Sequence, residues 1–304
     1  MLIGDFIIWM YCCVDHHLKK AIGDHKLRSR GFPPALSDSE VITMELVGEF
    51  LGIDTDKGTW QYFKNHWRHF FPMIGSRSNY AKQTSHLWRV KQIIQAQVID
   101  DLGSADEALH IIDGFPMPVC HFRRAQRSRV FREVPQATYG YCASKNETYY
   151  GFEGHIVMTK GGVITGYTVT KPNIEREASF ECVGNIEGLL LGDKGYIGGH
   201  YSEELEIENI QLSTPRQKNM TDDETPGFRR YLNNTRRRVE TVIGQLVERF
   251  SISKIRARDT WHLTNRVVRK VLSHTLAMVL LRERGLGVMA LDNILASAPE
   301  SSQP

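Results

Sequence analysis

The hydrophobic pattern of this chain changes near Ala108, and that change most constrains its fold. Before this point apolar residues recur at helical spacing, whereas after it short apolar runs alternate with turn residues. Tyr149–Thr159 and Val163–Thr170 are two such runs joined by a glycine turn, so they predict an antiparallel hairpin. Leu189–Gly192 and Ile210–Ser213 predict two further strands. Strands that alternate with helical segments predict an α/β fold in which helices flank a mixed sheet.

Helical patterns fill the first hundred residues and the end of the chain. Ser37–Glu40 has the form of a capping box and predicts the start of a helix. Ser85–Val98, Phe228–Phe250 and His262–Arg284 repeat apolar residues at three- and four-residue steps. Phe6–Val14 is apolar, but no basic residues precede it and no cleavage site follows, so it predicts a buried first helix rather than a signal peptide. It is also too short to span a bilayer.

The composition is that of a soluble globular protein, with 304 residues of which 41% are hydrophobic and 24% charged. The net charge is +3, so the placement of charge matters more than its sum. The five cysteines form no C-x-x-C pair, which favours reduced thiols in a cytoplasmic protein over a disulfide framework or a zinc finger. We expect an N-terminal helical domain over 1–106, an α/β domain over 107–285 and a short, disordered polar tail over 286–304.

Three acidic residues stand in distinctive local settings. Asp113 follows an apolar run and precedes a glycine, Asp193 follows another such run, and Glu240 lies in a basic helical stretch. Each has a structural alternative: a tight turn for the two aspartates, and for Glu240 a surface ion pair with Arg236 worth about 0.3–0.5 kcal/mol. Together, two carboxylates at strand ends and one on a helix suit a pair of magnesium ions that support in-line phosphoryl transfer.

Basic residues cluster beside these acids. A solvated protein face is the usual explanation for such clusters. Because both clusters adjoin the proposed metal ligands, we predict contacts with DNA phosphates that weaken steeply as salt rises. Lys194 and Tyr196, which follow Asp193, add a cation and a hydroxyl for the same purpose. The cationic residues predicted to bind DNA are Arg123, Arg124, Arg127, Lys194, Arg236, Arg237 and Arg238.

Four segments resemble the DDE transposases of bacterial insertion sequences, and in particular insertion-sequence family nine-eight-two. They are Ile111–Cys120, Gly140–Glu147, Tyr149–Phe152 and Arg238–Leu246, and the resemblance covers about residues 108 to 285. It implies a ribonuclease-H-like catalytic core. It also implies Asp113, Asp193 and Glu240 as ligands of two Mg²⁺ ions, for which Mn²⁺ can substitute.

The helical signature of related groups is matched only in part. Arg236 and Glu240 fit the pattern Tyr-x-x-Arg-x-x-x-Glu-x6-Lys, whereas Asn233 replaces the tyrosine and Val247 the lysine. The tyrosine and lysine of the pattern are therefore absent, whereas the three acids are intact.

The resemblance implies a transposase that cuts the ends of an insertion sequence and joins them to target DNA. Water activated at the metal site would cut the phosphodiester, and the resulting 3′ hydroxyl would attack target DNA. The helices of residues 1–106 would bind the terminal inverted repeats, as a homodimer that pairs two ends, at the bacterial nucleoid and with no role for a membrane. Two alternatives stay open: a metal-dependent DNA nuclease without strand transfer, and a catalytically inactive DNA-binding regulator, against which the three intact acids argue.

Overall fold

The structure, a computed structural model, describes residues 1–23, 25, 27–28, 30–131, 134–135, 137–142, 146–172, 180–184, 186–193, 196, 205–214 and 226–295. They divide into two compact units, one formed by Met1–Val98 with the chain from Val268 onward and the other by Ile99–Val267. The units differ from the expected domains because the chain from Val268 onward clusters with the N-terminal helices.

The first unit is helical. The capping box at Ser37 forms as predicted, since the Ser37 side chain accepts from the Glu40 amide at 3.2 Å and Glu40 Oε2 accepts from the Ser37 amide at 2.6 Å. The predicted first helix also forms, with Phe6 and Val14 fully buried. The helices are α1 Ile3–Ile22, α2 Asp38–Phe50, α3 Asp56–His66, α4 Arg77–His86, most of α5 Trp88–Asp101 and most of α8 Thr260–Glu283.

The chain after α8 continues as a 3₁₀ helix over Val288–Asn293. Leu291 and Ile294 are buried, and the N-terminal amino group of Met1 donates to the Ile294 carbonyl at 2.7 Å. The expectation of a disordered tail is therefore wrong for residues 286–295, because apolar side chains there are buried in the first unit. The remainder, 296–304, lies outside the described residues.

The second unit is built on a mixed six-stranded sheet. Its strands are β1 Leu109–His121, β2 Thr138–Cys142, β3 Glu147–Thr159, β4 Ile164–Thr170, β5 Gly188–Leu191 and β6 Ile210–Ser213. The strand order is β4-β3-β1-β5-β6. Strand β2 also pairs with β3, at residues 147–151, whereas β4 pairs with β3 at residues 153–158. Strands β4, β3 and β1 are antiparallel, whereas β5 and β6 run parallel to β1. This order confirms the ribonuclease-H-like mixed sheet.

The predicted hairpin and the two short strands are confirmed, but β1 is longer than its apolar run suggested. It continues through Pro116 and Pro118 to His121 because it pairs with β3 over most of its length. On its other side β1 pairs with β5 only over Leu109–Ile111. Beyond that point one edge of β1 is not bonded to β5, and such an edge tolerates prolines that cannot donate a hydrogen bond.

Helices lie against the sheet of the second unit. Helix α6 (Phe122–Ala125) and helix α7 (Pro226–Glu248) both pack on β1, as does the 3₁₀ turn Ile252–Lys254. One sheet face carries a buried cluster that includes Ile112, Val157 and Leu190. Half of the helix predicted over residues 175–186 lies outside the described residues, and within the described half only residues 180–182 are helical, as a 3₁₀ turn. No helix of the described part of the chain is long and apolar enough to cross a membrane.

Candidate active site and nucleic-acid interface

Asp113 lies in the middle of β1, opposite Ile156 on β3. Its carboxylate accepts a hydrogen bond from the next backbone amide, Gly114 N to Asp113 Oδ1, at 2.8 Å. Because strand residues alternate between faces, Asp113 points away from the buried cluster that contains Ile112. Within the described residues that cluster includes no residue of α7, although α7 packs on β1. The carboxylate is therefore held at the sheet, on the face opposite that cluster.

Asp193 occupies the equivalent position on the neighbouring strand. The last paired residues of β1 and β5 are Ile111 and Leu191. Asp113 lies two residues after Ile111, and Asp193 lies two residues after Leu191. The chain of β5 also stays beside β6 after Leu191, because Gly192 N donates to the Ser213 carbonyl at 3.0 Å. The pairing ends before both aspartates, so the register places them at equivalent positions just beyond it on neighbouring strands.

A buried hydrogen-bonded chain fixes the turn that follows Asp193. The Tyr196 amide donates to the Asp193 carbonyl at 3.1 Å, and the Tyr196 hydroxyl lies 3.1 Å from His155 Nδ1. On its other side, His155 Nε2 lies 3.1 Å from Thr170 Oγ1. Tyr196 and His155 are each only 2% exposed. The prediction that the Tyr196 hydroxyl contacts phosphate is therefore wrong, because that side chain anchors the turn to the core.

Gly114 allows the strands to approach closely beside Asp113. A side-chain carbon at this position would lie 3.1 Å from His155 Nδ1 and 3.2 Å from Glu153 Oε1, tighter than most real contacts. Sequence patterns singled out neither His155 nor Glu153, since an isolated histidine or glutamate within an apolar strand carries no motif. Both lie on β3, and the antiparallel register brings them to Gly114, on the sheet face opposite the Asp113 side chain.

Glu240 lies on the exposed flank of α7, about 100° around the helix from the buried Val239. It forms no ion pair with Arg236 within the described part of the chain, so the surface ion pair has no support there. Nor do Asp113, Asp193 and Glu240 form a group in which one oxygen of each lies within 4.8 Å of the others, among the residues described. The two aspartates occupy equivalent positions beyond the parallel pairing, and among the described residues the trio does not form one compact group.

A family model described as the transposase DDE domain matches residues 103–260, which is more than half of the chain. The chain belongs to the DDE transposase domain family. Enzymes of this family cut and join DNA and generally use divalent metal ions. The matched segment spans β1 to α7 and so includes the strands and the helix that carry all three acids.

Two solved transposases are similar to this DDE-domain chain. One is the piggyBac transposase in a synaptic complex with hairpin DNA, at 10% identity over 95% of this chain and 75% of that chain, with a TM-score of 0.48. The other is a pre-cleavage Mos1 transpososome, at 10% identity over 86% of this chain and 84% of that chain, with a TM-score of 0.20. Both likenesses are distant, and neither bears on the residues of the site. No curated protein matches the chain in sequence.

The cations of α7 have different surroundings. Arg237 is exposed, Arg236 is half-buried, and Arg238 Nη1 donates to the Lys160 carbonyl at 3.1 Å. That bond ties Arg238 to the turn between β3 and β4, so it has a structural partner within the protein. Lys194 lies outside the described residues.

The three predicted arginines after β1 line a groove of about 750 Å³. Its walls come from residues 118–130 at the end of β1 and from the 253–257 segment after α7. Two further cations, Lys254 and Arg256, complete the lining and were missed by the sequence predictions. They belong to a short stretch, Lys254–Arg258, in which cations alternate with apolar residues, and the packing of the 3₁₀ turn on β1 brings them to the arginines.

Proposed function

We propose that this protein is a transposase that cleaves the ends of a mobile DNA element and joins them to target DNA, with Asp113, Asp193 and Glu240 as its catalytic acids. The observation that carries the proposal is the register of β1 and β5. It sets two aspartates at equivalent positions just beyond their parallel pairing, in a chain of the DDE transposase family.

The chemistry of this donor set fits hard divalent cations. Asp113 and Asp193 offer only oxygen ligands, which Mg²⁺ and Mn²⁺ prefer, and Glu240 would add a third carboxylate from α7. Two such ions, when bound, polarise the scissile phosphate and lower the pKa of the attacking water. The three acids do not form one compact group among the described residues, and two ions would not require one, because Glu240 would bind only one of them.

The protein's own contribution is to hold the two aspartates ready. The Gly114 amide fixes the Asp113 carboxylate, and the buried Tyr196 holds the turn after Asp193. Fixed acids do not have to reorganise when charge develops on the phosphate, which is the physical basis of electrostatic catalysis. Arg236 and Lys194 would position the DNA backbone next to them.

The finer features of the proposal follow from the resemblance of the sequence. We propose that the chain is a member of insertion-sequence family nine-eight-two and that its two Mg²⁺ ions can be replaced by Mn²⁺. Residues 1–106 would bind the terminal inverted repeats, two copies of the protein would pair two ends, and the enzyme would act at the bacterial nucleoid. The DNA contacts would come from Arg123, Arg124, Arg127, Lys194, Arg236, Arg237 and Arg238.

Cleavage of a plasmid that carries the DNA flanking this gene on both sides tests the proposal. Asp113→Asn, Asp193→Asn and Glu240→Gln should each abolish magnesium-dependent cleavage. Asp106→Asn is a matched control because that aspartate is exposed in the same unit. Full cleavage by Asp193→Asn would refute the catalytic assignment, and full cleavage by Glu240→Gln alone would remove only Glu240 from it.

Strand transfer requires a separate assay, because cleavage and joining would share one site. Pre-cut ends with a free 3′ hydroxyl should be joined to a target plasmid by the unmodified protein. Cleavage without any joined product would favour the metal-dependent nuclease. DNA binding with neither reaction would favour the inactive regulator.

A further inference from the structure

The groove at the end of β1 has a strongly one-sided charge. Five cations line it, and the described residues of its lining include no acid. They are Arg123, Arg124, Arg127, Lys254 and Arg256. Like charges held this close repel one another, so the arrangement favours a polyanion that neutralises several of them at once.

The charge of most of these groups is not offset inside the protein. Arg123, Arg124, Arg127 and Lys254 are exposed, and within the described part of the chain none of them forms an ion pair. A solvated helix face would also be charged, but it would be convex and come from one segment. This lining is concave and joins two segments more than a hundred residues apart in sequence.

An exposed aromatic cluster borders the same groove. Phe122 directly precedes Arg123 and is 51% exposed, and its ring lies 5.7 Å from that of Tyr139, which is 44% exposed. The Tyr139 ring in turn lies 5.5 Å from that of Tyr150. Tyr150 pairs in the sheet with Cys120, which is itself part of the groove lining. The aromatic rings therefore lie next to residues that line the cationic groove.

Aromatic rings at a basic groove distinguish between two forms of DNA. In a duplex the bases stack on one another inside the helix, so protein rings cannot reach their faces. An unpaired strand presents its bases for stacking on exposed aromatic side chains while its phosphates follow a basic groove. The combination of a cationic groove with exposed rings therefore fits an unpaired strand better than a duplex.

We propose that the groove of Arg123, Arg124, Arg127, Lys254 and Arg256, together with the rings of Phe122 and Tyr139, binds an unpaired DNA strand. The choice of DNA as the polyanion rests on the proposed transposase function. The groove begins about five to seven residues along β1 from Asp113, or about 20 Å at 3.3 Å per residue. It therefore holds a strand at a distance from the catalytic acids rather than at the cleaved bond.

Fluorescence anisotropy with two labelled probes tests the proposal. The probes are a mixed-sequence 20-nucleotide single strand and a 20-base-pair duplex of the same sequence, both in EDTA so that no cleavage occurs. Lys254→Gln and Arg127→Gln should each weaken single-strand binding and lower its salt slope by about 0.7, the contribution of one phosphate contact. Phe122→Ala combined with Tyr139→Ala should weaken single-strand binding about fivefold or more and change duplex binding less than twofold.

Lys171→Gln is the matched charge control. It also removes one positive charge from an exposed side chain of the second unit, but Lys171 is not part of the groove lining. Its salt slope should equal that of the unmodified protein. All of the substituted groove side chains are exposed, so unchanged thermal melting would show that each variant folds.

Two outcomes overturn the proposal. One is that the groove substitutions leave the salt slope for the single strand unchanged. The other is that the aromatic double substitution weakens duplex and single-strand binding equally, or neither. Measuring cleavage and strand binding of the Asp193→Asn variant separates the two proposals, since full cleavage with intact, groove-dependent strand binding would overturn only the catalytic assignment.

Discussion

Replacing Arg269 by methionine should strongly destabilise the helical unit, because this arginine is a buried cation shared by three acids. It lies on α8 and is 2% exposed. Its Nη1 atom is 2.6 Å from Asp56 Oδ1 and 3.4 Å from Glu45 Oε1, and its Nε atom donates to Glu49 Oε1. Burial alone would lower the pKa of Arg269, but the carboxylates of Glu49, Asp56 and Glu45 raise it well above its ordinary value.

The network around Arg269 is balanced in charge. Lys91 pairs with Glu45 at 2.7 Å and Lys270 with Glu49 at 2.5 Å, both in buried positions. The three acids that Arg269 contacts therefore face three cations, and Arg269→Met would leave one negative charge in excess. Burial raises the pKa of Glu45 and lowers that of Lys91, so desolvation already opposes the charged forms there.

The expected loss follows from the burial of these partners. Removing one member of a buried ion pair costs about 3–5 kcal/mol, since the partner is left desolvated and uncompensated. Asp56 is 23% exposed and can regain water, so the cost falls mainly on Glu45 and Glu49. At roughly 2 °C per kcal/mol for a protein of this size, the melting temperature should fall by about 6–10 °C.

Urea unfolding followed by tryptophan fluorescence measures this loss. Arg28→Gln serves as the control because Arg28 pairs with Asp38 at 2.5 Å while its side chain is 37% exposed. A solvent-screened pair of this kind should cost about 1 kcal/mol or less. Adding Asp56→Asn to Arg269→Met should recover part of the loss by restoring charge balance. If Arg269→Met lost no more stability than Arg28→Gln, the reasoning from buried charge would be refuted.

Three other expectations concern single residues. Burial lowers the pKa of His274 to about 3, so the unfolded chain, which titrates near pH 6.5, binds the proton first as pH falls. The free energy of unfolding should therefore fall between pH 6.5 and 5, by up to about 1.4 kcal/mol per unit, and His274→Gln should flatten that dependence in urea titrations. Gly166→Ala should prevent soluble expression or lower the melting temperature sharply, because its Cβ would lie 1.7 Å from the Cys182 carbonyl oxygen. Tyr196→Phe removes the hydroxyl beside His155 and should cost about 1–2 kcal/mol in urea unfolding.

Local patterns predicted the elements of this fold better than their extent. The capping box at Ser37 and the hairpin of β3 and β4 follow from residues close in sequence, and both form. The full length of β1 does not follow from nearby residues, because Pro116 and Pro118 argue against a strand until the partner strand on each side is known. The strand pairing resolves this: β1 pairs with β3 past both prolines, whereas its pairing with β5 ends before them, so no hydrogen bond to β5 is lost there.

The candidate site shows the same limit. Asp113 and Asp193 were found because each ends an apolar run, and the parallel register then aligns them. Lys254 and Arg256 lie in a short basic stretch, but nothing in the sequence places it beside the arginines after β1, since that depends on the tertiary packing of the 3₁₀ turn against β1. For Glu240, the sequence spacing predicted a position on a helix. The direction in which Glu240 points depends on the rotation of that helix, which its buried side chains set.

The end of parallel pairing explains why a site can form at this point of the sheet. After Ile111 and Leu191 the neighbouring strands cease to bond, so the two aspartates that follow lie where the sheet opens. A continuous parallel ladder would cover the backbone here and leave no space for a phosphate. Proline at position 116 cannot donate to such a ladder, so the sequence itself prevents β1 and β5 from extending their pairing through it. The prolines that obscured β1 in the sequence thus limit how far a parallel ladder could run past Asp113.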